Sequence, residues 1–256
     1  MLSELLAGAV ADAEARRVTR PLSVVEAAAF ERAPAIDALS FLAPAERVRI
    51  IAEVKRASPS RGALAEIADP AALAVSYQTG GASAISVLTE GRRFKGSLGD
   101  LEQVRAAVTI PVLRKDFIGE PYQVYEARAA GADLVLLIVA ALDQSTLQSL
   151  HNLVRELGMT ALVETHSGDE VHRALDIGAS LVGVNARDLS TFELDQDLFG
   201  TLADRIPSGV VRVAESAVKT AADVAHYRAA GADVVLVGEA LVTSDPIRTL
   251  SEFLAV

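Results

Sequence analysis

Cysteine and tryptophan are absent from the 256 residues, methionine occurs only twice, and aromatic side chains make up 4% of the chain. A core must therefore come from Val, Ile, Leu and Ala. Without a thiol neither a disulfide framework nor a thiolate metal site can form, and the four histidines show no ligand spacing, so no metal is expected. No apolar run approaches the length of a membrane span. The N-terminus, MLSELLAGAVADAEARR, is acidic and amphipathic, whereas a secretory signal would be basic and then continuously apolar. These absences lead us to expect a soluble, cytoplasmic protein with no membrane partner. Cations are outnumbered, 24 Lys and Arg against 34 Asp and Glu, and the net charge of −10 repels polyanions, which argues against nucleic acid. A local cationic pocket remains compatible with that balance.

What the chain has in quantity is aliphatic residues. Hydrophobic residues make up 51% of it, and this length can bury one large core. Four segments share a pattern, a helix closing in Gly-Ala and then a buried strand: GGASAISVLTE from Gly80, AGADLVLLIV from Ala130, IGASLVGVNAR from Ile177 and AGADVVLVGEA from Ala230. Glycine tolerates the left-handed backbone that ends helices, so each pair reads as a helix stop feeding a strand. Four further strands are predicted at residues 48–55, 111–117, 160–165 and 210–214, with helices such as 69–79 and 144–157 between strands. Such strands, alternating with helices, run parallel and are covered by them. An open doubly wound sheet uses the same alternation, but eight units in this length with no second compositional block favour a closed (β/α)8 TIM barrel. The expected organisation is a single α/β barrel domain over residues 1–256, of which 1–45 form an N-terminal helical extension. Helices at 3–17, with Ser3 as a cap, and at 23–32 would either cover the barrel bottom or act as a lid.

Residues two apart share a face of a strand. On the first strand these are Ile51, Glu53 and Lys55, and on the third Leu113, Lys115 and Phe117. The fifth offers Leu162 and Glu164, the sixth Gly183, Asn185 and Arg187, and the seventh Val211, Val213 and Glu215. Each series begins apolar and turns polar toward its carboxyl end, where barrel enzymes place their catalytic groups. A lone charge at a strand end is ordinarily a solvated rim residue. Five series turning polar on one face instead describe a shared mouth, where three cations and three carboxylates would shift one another's pKa values for proton transfer without a cofactor. Glu215-Ser216-Ala217 and Val237-Gly238-Glu239 end the last two strands, the usual anion site of a barrel, and Lys55 to Gly62 adds cations and hydroxyls, Ser58 among them, after the first. Phosphate is the expected ligand there.

The motifs IAEVKRASPSRG at 51–62, SVLTE at 86–90 with FKGS at 94–97, PVLRKDFI at 111–118, LVETH at 162–166, VNARDL at 184–189 and VAES at 213–216 together resemble indole-3-glycerol phosphate synthase. The likeness runs from about residue 50 to 241. It implies a (β/α)8 barrel with an N-terminal helical segment that turns 1-(2-carboxyphenylamino)-1-deoxyribulose 5-phosphate into indole-3-glycerol phosphate, carbon dioxide and water, with no cofactor. By this resemblance Lys115 protonates or polarises the ketone oxygen, and Glu164 serves dehydration. Lys55 holds the substrate carboxylate, while Glu53, Asn185 and Glu215 orient these groups and bind hydroxyls. Phe94, Phe117, Leu136 and Phe192 match the lining of the aromatic-ring pocket, Arg187 contacts substrate, and Ser58, Ser216, Ala217, Gly238 and Glu239 lie about the phosphate. The implied partner is a small phosphorylated molecule, for a monomer or a weak associate of other tryptophan-pathway enzymes.

Two features depart from that pattern. Ala217 stands where the family usually has glycine, and residues 33–47 match loosely. Two other readings compete. Phosphoribosylanthranilate isomerase lacks the KRASPS and LRKDFI pair, and a non-catalytic paralogue that binds a phosphorylated metabolite would have no need of both an acid and a base.

Overall fold

The computed structural model describes residues 1–59, 61–188 and 193–256. Among the described residues ten strands are β1 (Arg49–Val54), β2 (Ala57–Ser58), β3 (Gly62–Ala63), β4 (Ala84–Leu88), β5 (Val112–Lys115), β6 (Leu134–Ile138), β7 (Thr160–Thr165), β8 (Leu181–Asn185), β9 (Val211–Glu215) and β10 (Val234–Val237). Eight of them close a parallel barrel in the order β1, β10, β9, β8, β7, β6, β5, β4, while β2 and β3 pair as a small antiparallel hairpin beyond β1. The seam between first and last strands is regular, with Arg49 opposite Val234 and Ala52 opposite Val237. The open-sheet alternative is thereby excluded.

Strand parity divides the core. Ile51, Ala84, Leu113, Leu134, Leu162, Leu181, Val213 and Val234 point inward and are fully buried, whereas Ile50, Ala52, Ile85, Val87, Val163 and Val235 face the surrounding helices. Aliphatic side chains thus fill the barrel as a packed interior. The Gly-Ala stops behave as the sequence suggests, with Gly81, Gly131, Gly178 and Gly231 all at positive φ.

The N-terminal segment forms α1 (Leu2–Thr19), α2 (Leu22–Glu31) and α3 (Ala38–Leu42). Helix α1 begins one residue before Ser3 and has no side-chain cap, so Ser3 does not cap it. Different parts of this segment lie at opposite ends of the barrel. The Ile36 N–H donates to Asp133 Oδ1 at 2.8 Å, and Asp133 precedes β6, so the chain leading into α3 lies at the amino end of the strands. Ala38 and Leu42 join the inner core there with no exposure. Helix α1 instead reaches the opposite end, where Leu5 packs among the pocket residues and Leu6 and Val10 lie against Gly119 after β5.

Candidate active site

Strands β1, β5, β7, β8 and β9 deliver their polar residues where an inward series reaches the carboxyl end. Glu53 of β1 is 3% exposed and lies 2.7 Å through Oε1 from Lys55 Nζ, while Ser86 Oγ stands 3.4 Å from its other oxygen. The pair fits because residue 238 is glycine: a Cβ there would lie 2.6 Å from Glu53 Oε1 and 2.9 Å from Lys55 Nζ. Across the barrel Lys115 Nζ contacts Glu215 Oε2 at 2.9 Å and Glu164 Oε2 at 3.4 Å. Glu215 is accommodated by Gly183, where a Cβ would fall 2.1 Å from Glu215 Oε1. Two alternating ammonium groups are thus set among three carboxylates, each carboxylate almost wholly removed from water.

Proximity in such a mouth sets the charge states. Burial opposes the Lys115 charge, but Glu215, Glu164 and Glu53 outweigh it and raise its pKa well above that of a free lysine. Burial also works against the charged form of Glu164, which Lys115 and then His166 pull back below the ordinary carboxylate range. Glu53 is likewise lowered, burial being overcome by Lys55 and Lys115. Glu215 goes the other way: burial and the repulsion of Glu164 and Glu53 prevail over Lys115 and push it up to about 7. One carboxyl of the three is therefore poised to change charge near neutrality.

The loops complete the walls. Glu90 takes backbone N–H bonds from Arg92 (2.8 Å), Arg93 (2.7 Å) and Phe94 (2.9 Å), which fixes the turn after β4 and brings Phe94 to 6.1 Å, ring centre to ring centre, from Phe117. Phe94, Phe117, Leu136, Ile138, Leu88 and Leu5 form the apolar side of the pocket. On the other side Ser216 Oγ donates to Asn185 Oδ1 at 2.7 Å, and Ser216 and Ala217 hold positive φ of 70° and 59°. Two successive L-residues in the left-handed region cost roughly 1–2 kcal/mol each, so the turn is held by its surroundings. Glu239 turns its carboxylate toward Arg61, 2.5 Å away, at the rim.

The named site residues line this one pocket, including Ser58, Arg187, Gly238 and Glu239, except Phe192, which lies outside the described residues. Of the cations expected in the Lys55 to Gly62 turn, Arg56 turns instead to Asp100 and Arg61 to Glu239 at the rim, and Ser60 lies outside the described residues. Sequence parity missed Leu5, because nothing local links residue 5 to a strand end, and Leu194 and Val218, which lie in loops. It also missed the second face of LRKDFI. Arg114 and Asp116 point away from the barrel axis and are buried: Arg114 Nη2 is 3.0 Å from Asp116 Oδ2, its Nη1 is 2.7 Å from the Gln123 carbonyl, and Glu126 joins it to Arg16 of α1. Among the described residues no cluster of three or more His, Asp or Glu is arranged to hold a metal ion, and no helix is long and apolar enough to cross a membrane.

A family model described as indole-3-glycerol phosphate synthase matches residues 2–252. The chain is 74% identical over 253 residues to a protein of that name from Leifsonia xyli subsp. xyli, covering 99% of this chain and 97% of that one. It is 59% identical to one from Mycobacteroides abscessus, covering 96% and 90%, and 55% identical to one from Rhodococcus opacus, covering 98% and 94%. Among solved structures it resembles an N-acetylmannosamine-6-phosphate 2-epimerase from Clostridium perfringens (TM-score 0.59, 14% identity, 75% of this chain and 86% of that chain). A thiamine phosphate pyrophosphorylase from Pyrococcus furiosus scores the same (TM-score 0.59, 14% identity, 80% and 93%). At this identity the two structures speak for the fold alone.

Proposed function

The chain belongs to the indole-3-glycerol phosphate synthase family, and from that premise we propose how its own side chains carry the reaction. The activity is ring closure, decarboxylation and dehydration of 1-(2-carboxyphenylamino)-1-deoxyribulose 5-phosphate to indole-3-glycerol phosphate, a carboxy-lyase step of tryptophan biosynthesis. The observation that carries the roles is the Lys115 ammonium held between Glu164 and Glu215.

Ring closure joins the ring carbon that bears the carboxylate to the ketone carbon, and the ketone oxygen becomes an alkoxide. Lys115, kept charged by its carboxylates, polarises that oxygen and surrenders a proton as the far more basic alkoxide forms. Lys55 holds the substrate carboxylate until the bond to the ring breaks and carbon dioxide leaves. Dehydration then needs an acid at the new hydroxyl and a base at the adjacent C–H, and Glu164 is the acid/base group for that step. Glu53, Asn185 and Glu215 orient the lysines and bind hydroxyls. Phe94, Phe117 and Leu136 enclose the aromatic ring, with Phe192 assigned to the same wall, and Arg187 lies beside the substrate. Backbone N–H groups about Ser216, Ala217, Gly238 and Glu239, together with the turn from Lys55 to Ser58, receive the phosphate. The Glu239 contribution is its N–H, since its carboxylate is engaged with Arg61. The same reading makes the protein cytoplasmic, either monomeric or weakly associated with other enzymes of the pathway.

Incubating the protein with the carboxyphenylamino deoxyribulose phosphate and following indole fluorescence tests the reading. Turnover is expected. Tight binding without turnover would replace it with a non-catalytic metabolite binder.

A further inference from the structure

His166, next after β7, is a titratable group that the reaction above leaves unused. Its Nε2 faces Glu164 Oε1 at 3.5 Å, and among the described residues neither of these buried atoms has a hydrogen-bond partner. On the far side of the ring Nδ1 lies 3.2 Å from Glu170 Oε2, and the same carboxylate oxygen receives the His166 backbone N–H at 2.8 Å. Side-chain exposure rises outward along this line, from 2% at Glu164 to 13% at His166 and 18% at Glu170. A neutral ring donating from Nδ1 to Glu170 would turn a lone pair toward the Glu164 oxygen. Charge neutrality and geometry agree only when a proton sits between Nε2 and Oε1.

The chemistry requires such a supply. In each turnover the ketone oxygen takes up one proton and the departing hydroxide takes up another to leave as water. The carbon adjacent to nitrogen gives one back as the indole double bond forms. The substrate enters as a carboxylate and departs as carbon dioxide with no proton of its own, so each turnover draws one proton from water. Glu164 and Glu215 are both about 1% exposed, and a bound substrate would fill the mouth.

We propose that His166, steadied by Glu170, is the proton inlet of the site, passing its Nε2 proton to Glu164 during the catalytic cycle and regaining one from water at its exposed edge. The inference rests on Glu164 being the acid/base group. His166 acts through Glu164 and is a positioning residue; the 3.5 Å separation is that of an unliganded catalytic contact, of a kind that commonly tightens in the substrate complex. Burial alone would favour neutral imidazole, but the hydrogen bond to Glu170 and the charges of Glu164, Glu170 and Glu215 raise the pKa above its usual value. Lys115 stands behind Glu164, and Arg205 packs over Gly168 at the start of the helix that carries Glu170. The imidazolium is thus favoured beyond that of a free histidine and is lost as pH rises through the raised value, so kcat falls on the alkaline side.

The test compares His166→Asn, His166→Gln, Glu164→Gln and the Asn/Gln double variant over a pH series, with and without added imidazole. We expect both His166 variants to lose about 10- to 100-fold in kcat. KM should move by less than about threefold, the alkaline limb belonging to His166 should vanish, and imidazole should restore several-fold. Added to Glu164→Gln, His166→Asn should cost nothing more. A Glu164→Gln enzyme with wild-type kcat would overturn the acid/base reading and the inlet together. An impaired Glu164→Gln beside an unimpaired His166→Asn would overturn the inlet alone, as would equal losses from His166→Asn in both backgrounds.

Discussion

At the scale of single residues the site was legible wherever chemistry and strand parity coincide. Glu53, Lys115, Glu164 and Glu215 could each be named because an aliphatic residue two positions earlier marks the inward face, and Asn185 because it shares the face of Gly183 by the same alternation. His166 could not, since it lies past the strand end, where alternation no longer predicts direction. Lys115→Ala should lower kcat by at least about a thousandfold with substrate still bound, because it removes both a proton donor and a local charge. Single-turnover fluorescence beside equilibrium binding measures the two separately, and retention of more than about a tenth of wild-type kcat would sink the assignment. Ala217 has a sharper expectation now that its φ of 59° is known. Glycine is free of the steric cost that alanine bears there, against a smaller loss of unfolded-chain entropy, so Ala217→Gly should stabilise by about 0.5–1 kcal/mol and raise Tm by roughly 1–4 °C. The alanine N–H is the same donor that glycine would present, so kcat/KM should change by no more than about tenfold; a gain above about a hundredfold would mean that Ala217 disables the phosphate site.

At the scale of elements, the four Gly-Ala stops and the aliphatic strands were readable because burial on both faces leaves a continuous signal. Boundaries drifted by a residue or two, β5 ending at Lys115 where alternation ran on to Phe117. The short β2–β3 hairpin carries no periodicity and went unread. More was lost behind β5, where the motif LRKDFI holds two functions in one string. Lys115 and Phe117 face the pocket, whereas Arg114 and Asp116 anchor the strand outward to Gln123, Glu126 and, through Glu126, to α1. A buried arginine read from sequence is indistinguishable from a solvated one. Arg114→Ala leaves Asp116 and Glu126 as buried carboxylates short of a partner, which costs about 3–5 kcal/mol. The urea midpoint should fall accordingly, and a midpoint within error of wild type would show that Arg16 and Thr89 suffice to satisfy both carboxylates.

For the whole molecule the decisive fact about the barrel, that it closes, was inferred from counting units and is visible only in the pairing of β1 with β10. The N-terminal segment was ambiguous for a related reason: α1 meets the mouth and α3 the base, and no local pattern encodes contacts made across the length of the chain. A chain ending at Asp233 would lack β10 and leave β1 and β9 with unpaired edges, so it should aggregate or associate. Size-exclusion chromatography of that truncation checks it, and a monomer that unfolds cooperatively would contradict the expectation. The seam also has a meaning in time. On a ribosome adding about 5–20 residues per second, β1 waits on the order of ten to forty seconds for its second neighbour to be synthesised. For that interval the nascent sheet has an open flank, and α3 has only part of the strand ring it will plug. Chaperone dependence during synthesis should therefore end abruptly when the last strand emerges, because that one strand pairs with β1 on one side and β9 on the other and removes both edges at once.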